Sequence, residues 1–264
     1  MTILLSATAL VVGGFISNPD GFMPAPMNPM ALAAEPVAAP HCASEITGRA
    51  LTVTQPSFGK VQGQPLLPLK RGEYVLTFDD GPSKQTRPLL DILGRYCVRA
   101  TFMMIGRKAE ARPELVKEIM AAGHGVGSHS FIHNGFGALD AVGQDADILH
   151  GDDAVARAID GAPRTPGRKA FFRMPGDKGV PMHTPAETLG FLKEKGLILA
   201  GYDISPQDWR NNPSMVSYER LFKNMPDRGV IVMHDFASNT PMLLELSLME
   251  FKRRGARIVS LKLP

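Results

Sequence analysis

Residues 74–82 read Tyr-Val-Leu-Thr-Phe-Asp-Asp-Gly-Pro. Five β-favouring residues run into a pair of acids, and the Asp-Gly-Pro that follows ends the strand. A helical apolar face comes next, on Leu89, Leu90, Ile92 and Leu93. A short strand that delivers two carboxylates and turns into a helix is the opening of an α/β unit.

The same alternation continues to the C-terminus. Strand-like runs occupy residues 100–105, 125–128, 170–173, 197–204, 230–233 and 257–261. Helical patterns occupy residues 113–122, with Leu115, Ile119 and Met120 inward, then 145–159, 185–195, 215–225 and 242–254. Gly196 and Gly255 stand where C-terminal caps are needed. Seven strands alternating with helices predict an α/β fold with a parallel sheet, as a barrel or doubly wound. Such folds build sites at the C-terminal ends of their strands. The glycine-rich dinucleotide and Walker signatures are absent.

The chain has 264 residues, 44% hydrophobic and 21% charged, a balance that supports an ordinary core without disulfide staples. Its 29 basic and 26 acidic residues give +3, too mild to indicate a nucleic-acid partner. Residues 2–17 are apolar, and Ala31-Leu32-Ala33 resembles a small-residue cleavage site, so residues 1–33 read as a signal peptide and the protein as exported. The apolar run is too short for a stable membrane span. Residues 34–72 read as a linker and a polar N-terminal arm, and residues 73–264 as the domain. Cys42 and Cys97 are the two cysteines, and in an exported chain they can pair.

Five clusters follow strand ends. Asp79-Asp80 needs something to offset its repulsion, a metal, an arginine or a shared proton. Adjacent residues can point different ways, so one can bind metal while the other moves a proton. His129 and His133, four apart, lie on one face of a helical turn and can share an ion. Arg173, after two Phe, needs a partner, and Asp79 is a natural one. Asp208 precedes Trp209, the single Trp, which is either a binding wall or core. Residues 230–233 form a hydrophobic strand that delivers His234. Each cluster alone has an ordinary reading: an Asp-Gly turn, capped histidines, a structural ion pair, a filler aromatic, a structural His. Their order and their placement at strand ends make the set informative.

Over residues 73–263 the chain resembles the polysaccharide deacetylases of the NodB-homology type, carbohydrate esterase family four. Thr77 to Pro82 matches the family's first motif without change, and His129-Ser-Phe-Ile-His133 matches the second. The resemblance implies a distorted barrel with fewer strands than a full eight. It implies Asp80, His129 and His133 as ligands of one divalent ion, zinc in most relatives, with cobalt, nickel or manganese as alternatives. It implies Asp79 as general base, oriented by Arg173, and His234 as general acid, tuned by Asp208. Val232, where Leu is usual, would border the acetyl pocket, and Trp209 would contact substrate. The third motif departs: Gly176 replaces an aromatic residue and Asp177 a glycine. The backbone N–H of Gly176 can still serve an oxyanion, but the aromatic surface is gone.

The reading that follows is hydrolysis of acetyl groups from an extracytoplasmic glycan. The alternatives are a small non-sugar amide or cyclic imide as substrate, or an inactive glycan-binding relative. His41, His124, His150 and His183 have no motif partner and read as surface or capping residues, Asp152-Asp153 reads as a solvated helix face, and Asp235 as a residue supporting the site from behind or a loop residue.

Overall fold

The structure, a computed structural model, describes residues 43–59, 67–176, 186–210, 212–223 and 225–264. The arm supplies β1 (Thr47–Thr52) and β2 (Ser57–Phe58). The domain follows as β3 (Glu73–Gly81), α1 (Thr86–Arg95), β4 (Thr101–Met104), α2 (Gly106–Ala111), α3 (Pro113–Ala121) and β5 (Gly125–Ser128). After these come α4 (Ala141–Asp160), β6 (Ala170–Phe172), α5 (Ala186–Glu194) and β7 (Leu197–Ala200). The last elements are α6 (Ser214–Lys223), β8 (Gly229–His234), α7 (Thr240–Arg253) and β9 (Arg257–Lys262).

All strand pairs are parallel, in the order β1-β9-β3-β4-β5-β6-β7-β2, with β8 also on β3. The edges of this sheet approach each other. The N–H groups of Asp203 and Ile204 donate to the Val230 carbonyl at 2.8 and 3.1 Å, and that of Val232 donates to Ile204 at 3.0 Å. The segment after β7 thus touches β8 through one bridge, Ile204 to Ile231, and β8 pairs β3 from Tyr74 to Asp79. The parallel α/β arrangement expected from the alternation is present. The ladder between β7 and β8 is too short to close the sheet fully.

Side chains alternate along each strand, so one strand serves two faces. Leu76, Phe78, Phe102, Ile231 and Met233 pack against Leu89, Leu93, Val116, Leu244 and Phe251 of the helices. Val75, Met103, Phe171, Ile198 and Val230 pack on the opposite face, with Phe58, Val259 and Leu261. Each such Leu or Phe withdrawn from water contributes about 2 kcal/mol. The period of two places Thr77 and Asp79 on the face of Val75, and Val232 and His234 on the face of Val230.

Several expectations change. The arm is not merely a polar tether: β1 pairs β9, β2 pairs β7, and Ile46, Leu51, Val53 and Phe58 are buried. Helix α4 begins at Ala141 because Asp140 caps it, its carboxylate accepting from the Gly143 N–H at 2.8 Å. Met120 points outward on α3, and Val116 takes the inward place. Asp152 is buried and ion-paired to Arg164 rather than solvated. The expected signal peptide, the linker up to residue 42, Cys42 and its pairing with Cys97, His41, Asp177 and His183 lie outside the described residues. Among the described residues no helix is long and apolar enough to cross a membrane.

Candidate active site

Two adjacent carboxylates reach one cleft because the strand breaks its own period. The pairing of β3 with β4 shifts register between Asp79 and Gly81, and Asp80 takes a left-handed backbone, φ 68. Asp80 therefore turns toward the side Asp79 already faces. Non-glycine residues visit this region at a cost of order 1 kcal/mol or more, so neighbours must hold it. The Lys108 ammonium donates to the Asp80 carbonyl at 2.7 Å.

His129 and His133 do not share a helical turn. His129 directly follows β5, and Ser130 and His133 both have positive φ, 61 and 58. A loop brings the two rings together, with centroids 4.9 Å apart. Two helices clamp that loop. The first N–H groups of α2, from Gly106 and Arg107, donate to the Ser130 and Phe131 carbonyls at 2.8 and 3.3 Å. The Asp147 carboxylate of α4 accepts from the Phe131 and Ile132 N–H groups at 3.1 Å each. The fit is close: a Cβ on Gly151 would lie 2.4 Å from the Ser130 carbonyl carbon.

The histidines are oriented from behind. His129 Nδ1 donates to the Arg173 carbonyl at 2.8 Å, and His133 Nδ1 to Asn134 Oδ1 at 3.0 Å. Both Nε2 lone pairs are thereby left facing Asp80 Oδ1, at 3.6 and 3.2 Å. That oxygen is buried and accepts no hydrogen bond. An acceptor confronted by two more acceptors is unfavourable unless a cation lies between them. The three ligand atoms sit within 4.8 Å of one another. The donor set, two imidazoles and a carboxylate, is the kind that holds zinc and leaves coordination positions open. Asp80, His129 and His133 thus fit the ion that the sequence implies.

Asp79 sits beside this triad in a different bonding environment. Its Oδ1 accepts from Arg173 Nη1 at 2.6 Å, and its Oδ2 lies 3.9 Å from His129 Nε2. Arg173 is 2% exposed and fully committed, with Nη1 also on Thr77 Oγ1 and Nε and Nη2 on the Ala200 and Gly201 carbonyls. Burial opposes the Asp79 charge, yet Arg173, with His129 and His234, holds its carboxyl below the usual range. Across the cleft, His234 Nδ1 donates to Asp208 Oδ1 at 2.9 Å. Asp208 Oδ2 accepts from the His234 N–H at 2.7 Å and from Thr240 Oγ1 at 2.6 Å. Burial opposes the imidazolium, but Asp208 outweighs it and His234 is raised above its ordinary value. Register aligns the pair, since Asp79 stands opposite His234.

The cleft is lined by Asp79, Asp80, His129, His133, Gly176, Trp209 and His234 among the expected residues. Arg173 and Asp208 lie behind it as supports. Val232 does not line it: it is buried one step below His234 on the same face of β8. Sequence reasoning missed Lys108, Thr240, Asp147 and the lining residues Arg107, Asn134 and Phe236. Asp147 had a legible signal, because it lies on the buried side of α4 one turn before Gly151.

A family model for polysaccharide deacetylase matches residues 68–178. A peptidoglycan-N-acetylglucosamine deacetylase of Bacillus cereus is 30% identical over 194 residues, covering 70% of this chain and 68% of the relative. The chain belongs to the polysaccharide deacetylase family. The family 4 carbohydrate esterase from Streptomyces lividans, solved with acetate, superposes with a TM-score of 0.60 at 29% identity, over 72% of this chain and 93% of that one. Peptidoglycan-N-acetylglucosamine deacetylase PgdA of Listeria monocytogenes is 28% identical over 190 residues; this chain spans only 37% of its length. Against the family's motifs, the outlier is Gly176. It is exposed, with φ 142 and open space where a side chain would stand.

Asp235, His124 and His150 have other work. Asp235, expected as a supporting residue behind the site or a loop residue, is fully buried, accepts from Ser83 Oγ at 2.9 Å and Thr86 Oγ1 at 2.8 Å, and is pushed by burial up to about 6. It occupies the space beside Gly81, where a Cβ would come within 2.1 Å of its Oδ2. His124, expected at the surface or as a cap, is instead buried and accepts from the Ala100 N–H at 3.1 Å, whereas His150 is exposed as expected and stacks on Phe131.

Proposed function

We propose that the protein is a metal-dependent hydrolase that removes acetyl groups, chiefly N-acetyl, from a cell-envelope or extracellular polysaccharide. The observation that carries this reading is the triad around the orphaned Asp80 Oδ1, flanked by a base held ionised and an acid held protonated. Peptidoglycan-deacetylating relatives among the family support the choice of glycan, and the apolar N-terminus supports export. A divalent ion bound by Asp80, His129 and His133, zinc by preference, would supply Lewis acidity to the acetyl carbonyl and lower the pKa of water to about 7.

The chain's own groups do the rest. Asp79, ionised by Arg173, takes a proton from water as the water oxygen bonds to the carbonyl carbon. Arg173 fixes Oδ1, so Oδ2 is the oxygen free to accept. Gly176 lines the cleft, and its N–H is the donor assigned to the charge that develops on the carbonyl oxygen; one such donor is worth about 3 kcal/mol. His234 gives its proton to the leaving nitrogen as the C–N bond breaks, releasing acetate and a free amine. Asp208 stabilises the protonated ring before that transfer and orients it through Nδ1.

The test is acetate release by the chain from N-acetylated chitooligosaccharides, peptidoglycan fragments and acetylxylan, with and without a chelator. Chelator-sensitive release, with preference for one glycan, is the expected result. One metal ion bound per chain but no release from any glycan would overturn the substrate assignment.

A further inference from the structure

The cleft has two aromatic side chains, Trp209 and Phe236, and the Lys108 ammonium lies 5.8 Å from the Phe236 ring centroid. Trp209 is partly buried, and the Arg210 guanidinium lies 4.8 Å from its ring centroid. Phe236, two residues beyond His234, is 40% exposed, whereas most Phe among the described residues are buried. Its ring meets that of His234 edge to face, with centroids 5.9 Å apart and planes at 76°. Its backbone is anchored, because the preceding Asp235 is locked to Ser83 and Thr86. Phe236 thus presents an apolar ring, on a fixed backbone, to a polar cleft that also holds the candidate reacting groups, a place where a bound ligand can cover it.

We propose that Phe236 is the platform for the sugar ring whose nitrogen leaves, and so a specificity-determining residue. The inference rests on the function proposed above. The acetyl carbonyl is drawn to Asp80, His129 and His133, and the leaving nitrogen must face His234. The sugar attached to that nitrogen then lies beyond His234, on the side where Phe236 stands. The C–H face of a pyranose carries slight positive charge and packs on the negative face of an aromatic ring, with apolar area buried as well. Gly176 itself brings no side chain to the cleft, and among the described residues Trp209 is the other aromatic that lines it. Phe236 supplies from β8 the aromatic contact that the third motif lacks.

The experiment compares Phe236→Ala, Phe236→Leu and Phe236→Tyr with the parent chain. KM and kcat are measured on an N-acetylated oligosaccharide, together with the inhibition constant of acetate, a product without a ring. Phe236→Ala and Phe236→Leu are expected to raise KM about tenfold with kcat little changed, and Phe236→Tyr to restore the parent value. The acetate constant is expected to hold within about twofold, because acetate meets only the reacting groups. Parent-like KM in Phe236→Leu would overturn the aromatic platform. So would an acetate constant that weakens in parallel with KM, which would assign Phe236 to holding His234. A parent chain that releases no acetate from any glycan overturns the function reading instead, and the two failures are distinguishable.

Discussion

At the scale of single residues, the site turns on how neighbours divide labour. Asp79 and Asp80 are adjacent, yet one accepts a hydrogen bond from an arginine and the other faces two imidazole lone pairs. The sequence made that division legible, because a carboxylate pair at a strand end requires unlike partners. Lys108 was not legible: it belongs to a six-residue helix with no apolar stripe, and its role is to meet a backbone carbonyl. Thr240 and Phe236 were equally silent, since their spacing to His234 matters only once α7 has packed. A direct consequence concerns Asp208. Burial alone would lower His234, and the Asp208 charge reverses this. Activity that needs protonated His234 is lost as pH rises through its pKa. In Asp208→Asn that alkaline limb should move to lower pH by about one unit or more, at unchanged metal content. A pH–rate profile checks this; an unmoved limb would deny Asp208 its role.

At the scale of elements, the strands and long helices followed from periodicity, while the connections that set the site did not. Helix α2 and strand β2 are too short to show a period, β1 reads Thr-Gly-Arg-Ala-Leu-Thr with no apolar alternation, and the identity of all three depends on what they dock against. The loop from His129 to His133 depends on the crossing of α2 and α4, where Gly106 would place a Cβ 2.7 Å from the Gly151 Cα. Gly151→Ala should push α4 from the Ser130 carbonyl, lower stability by about 2 kcal/mol, and weaken metal affinity at least tenfold. Denaturant unfolding and metal titration read the two effects; parent-like values in both would contradict the clamp. His124 gives the fold a pH dependence. Burial lowers its pKa from 6.5 to about 4, so the folded state keeps it neutral. Above pH 6.5 this has no effect on stability. Between pH 6.5 and 4 the unfolded chain gains a proton that the folded chain refuses, and up to about 3 kcal/mol is lost. Urea unfolding should show the stability gap between parent and His124→Gln narrowing as pH falls from 7 to 4.5. A constant gap would mean that His124 titrates normally in the fold.

At the scale of the whole molecule, one sheet gathers residues separated by more than 150 positions. Asp79, His129, Arg173 and His234 all stand at or just past C-terminal strand ends, and the parallel order β8-β3-β4-β5-β6 brings those ends together. The fold class was legible because strand–helix alternation admits few arrangements. How nearly the sheet closes was not, because Asp203 and Ile204 reach β8 through backbone bonds that no side-chain pattern records. The central claim is that binding the metal and moving the proton belong to different residues of the same cluster. Metal content and acetate release, measured together in Asp79→Asn and His133→Ala, test it most directly. The account predicts that Asp79→Asn keeps about one ion per chain and loses acetate release at least 100-fold, whereas His133→Ala loses the ion as well. Loss of metal in Asp79→Asn, or parent-like acetate release from it, would contradict the account.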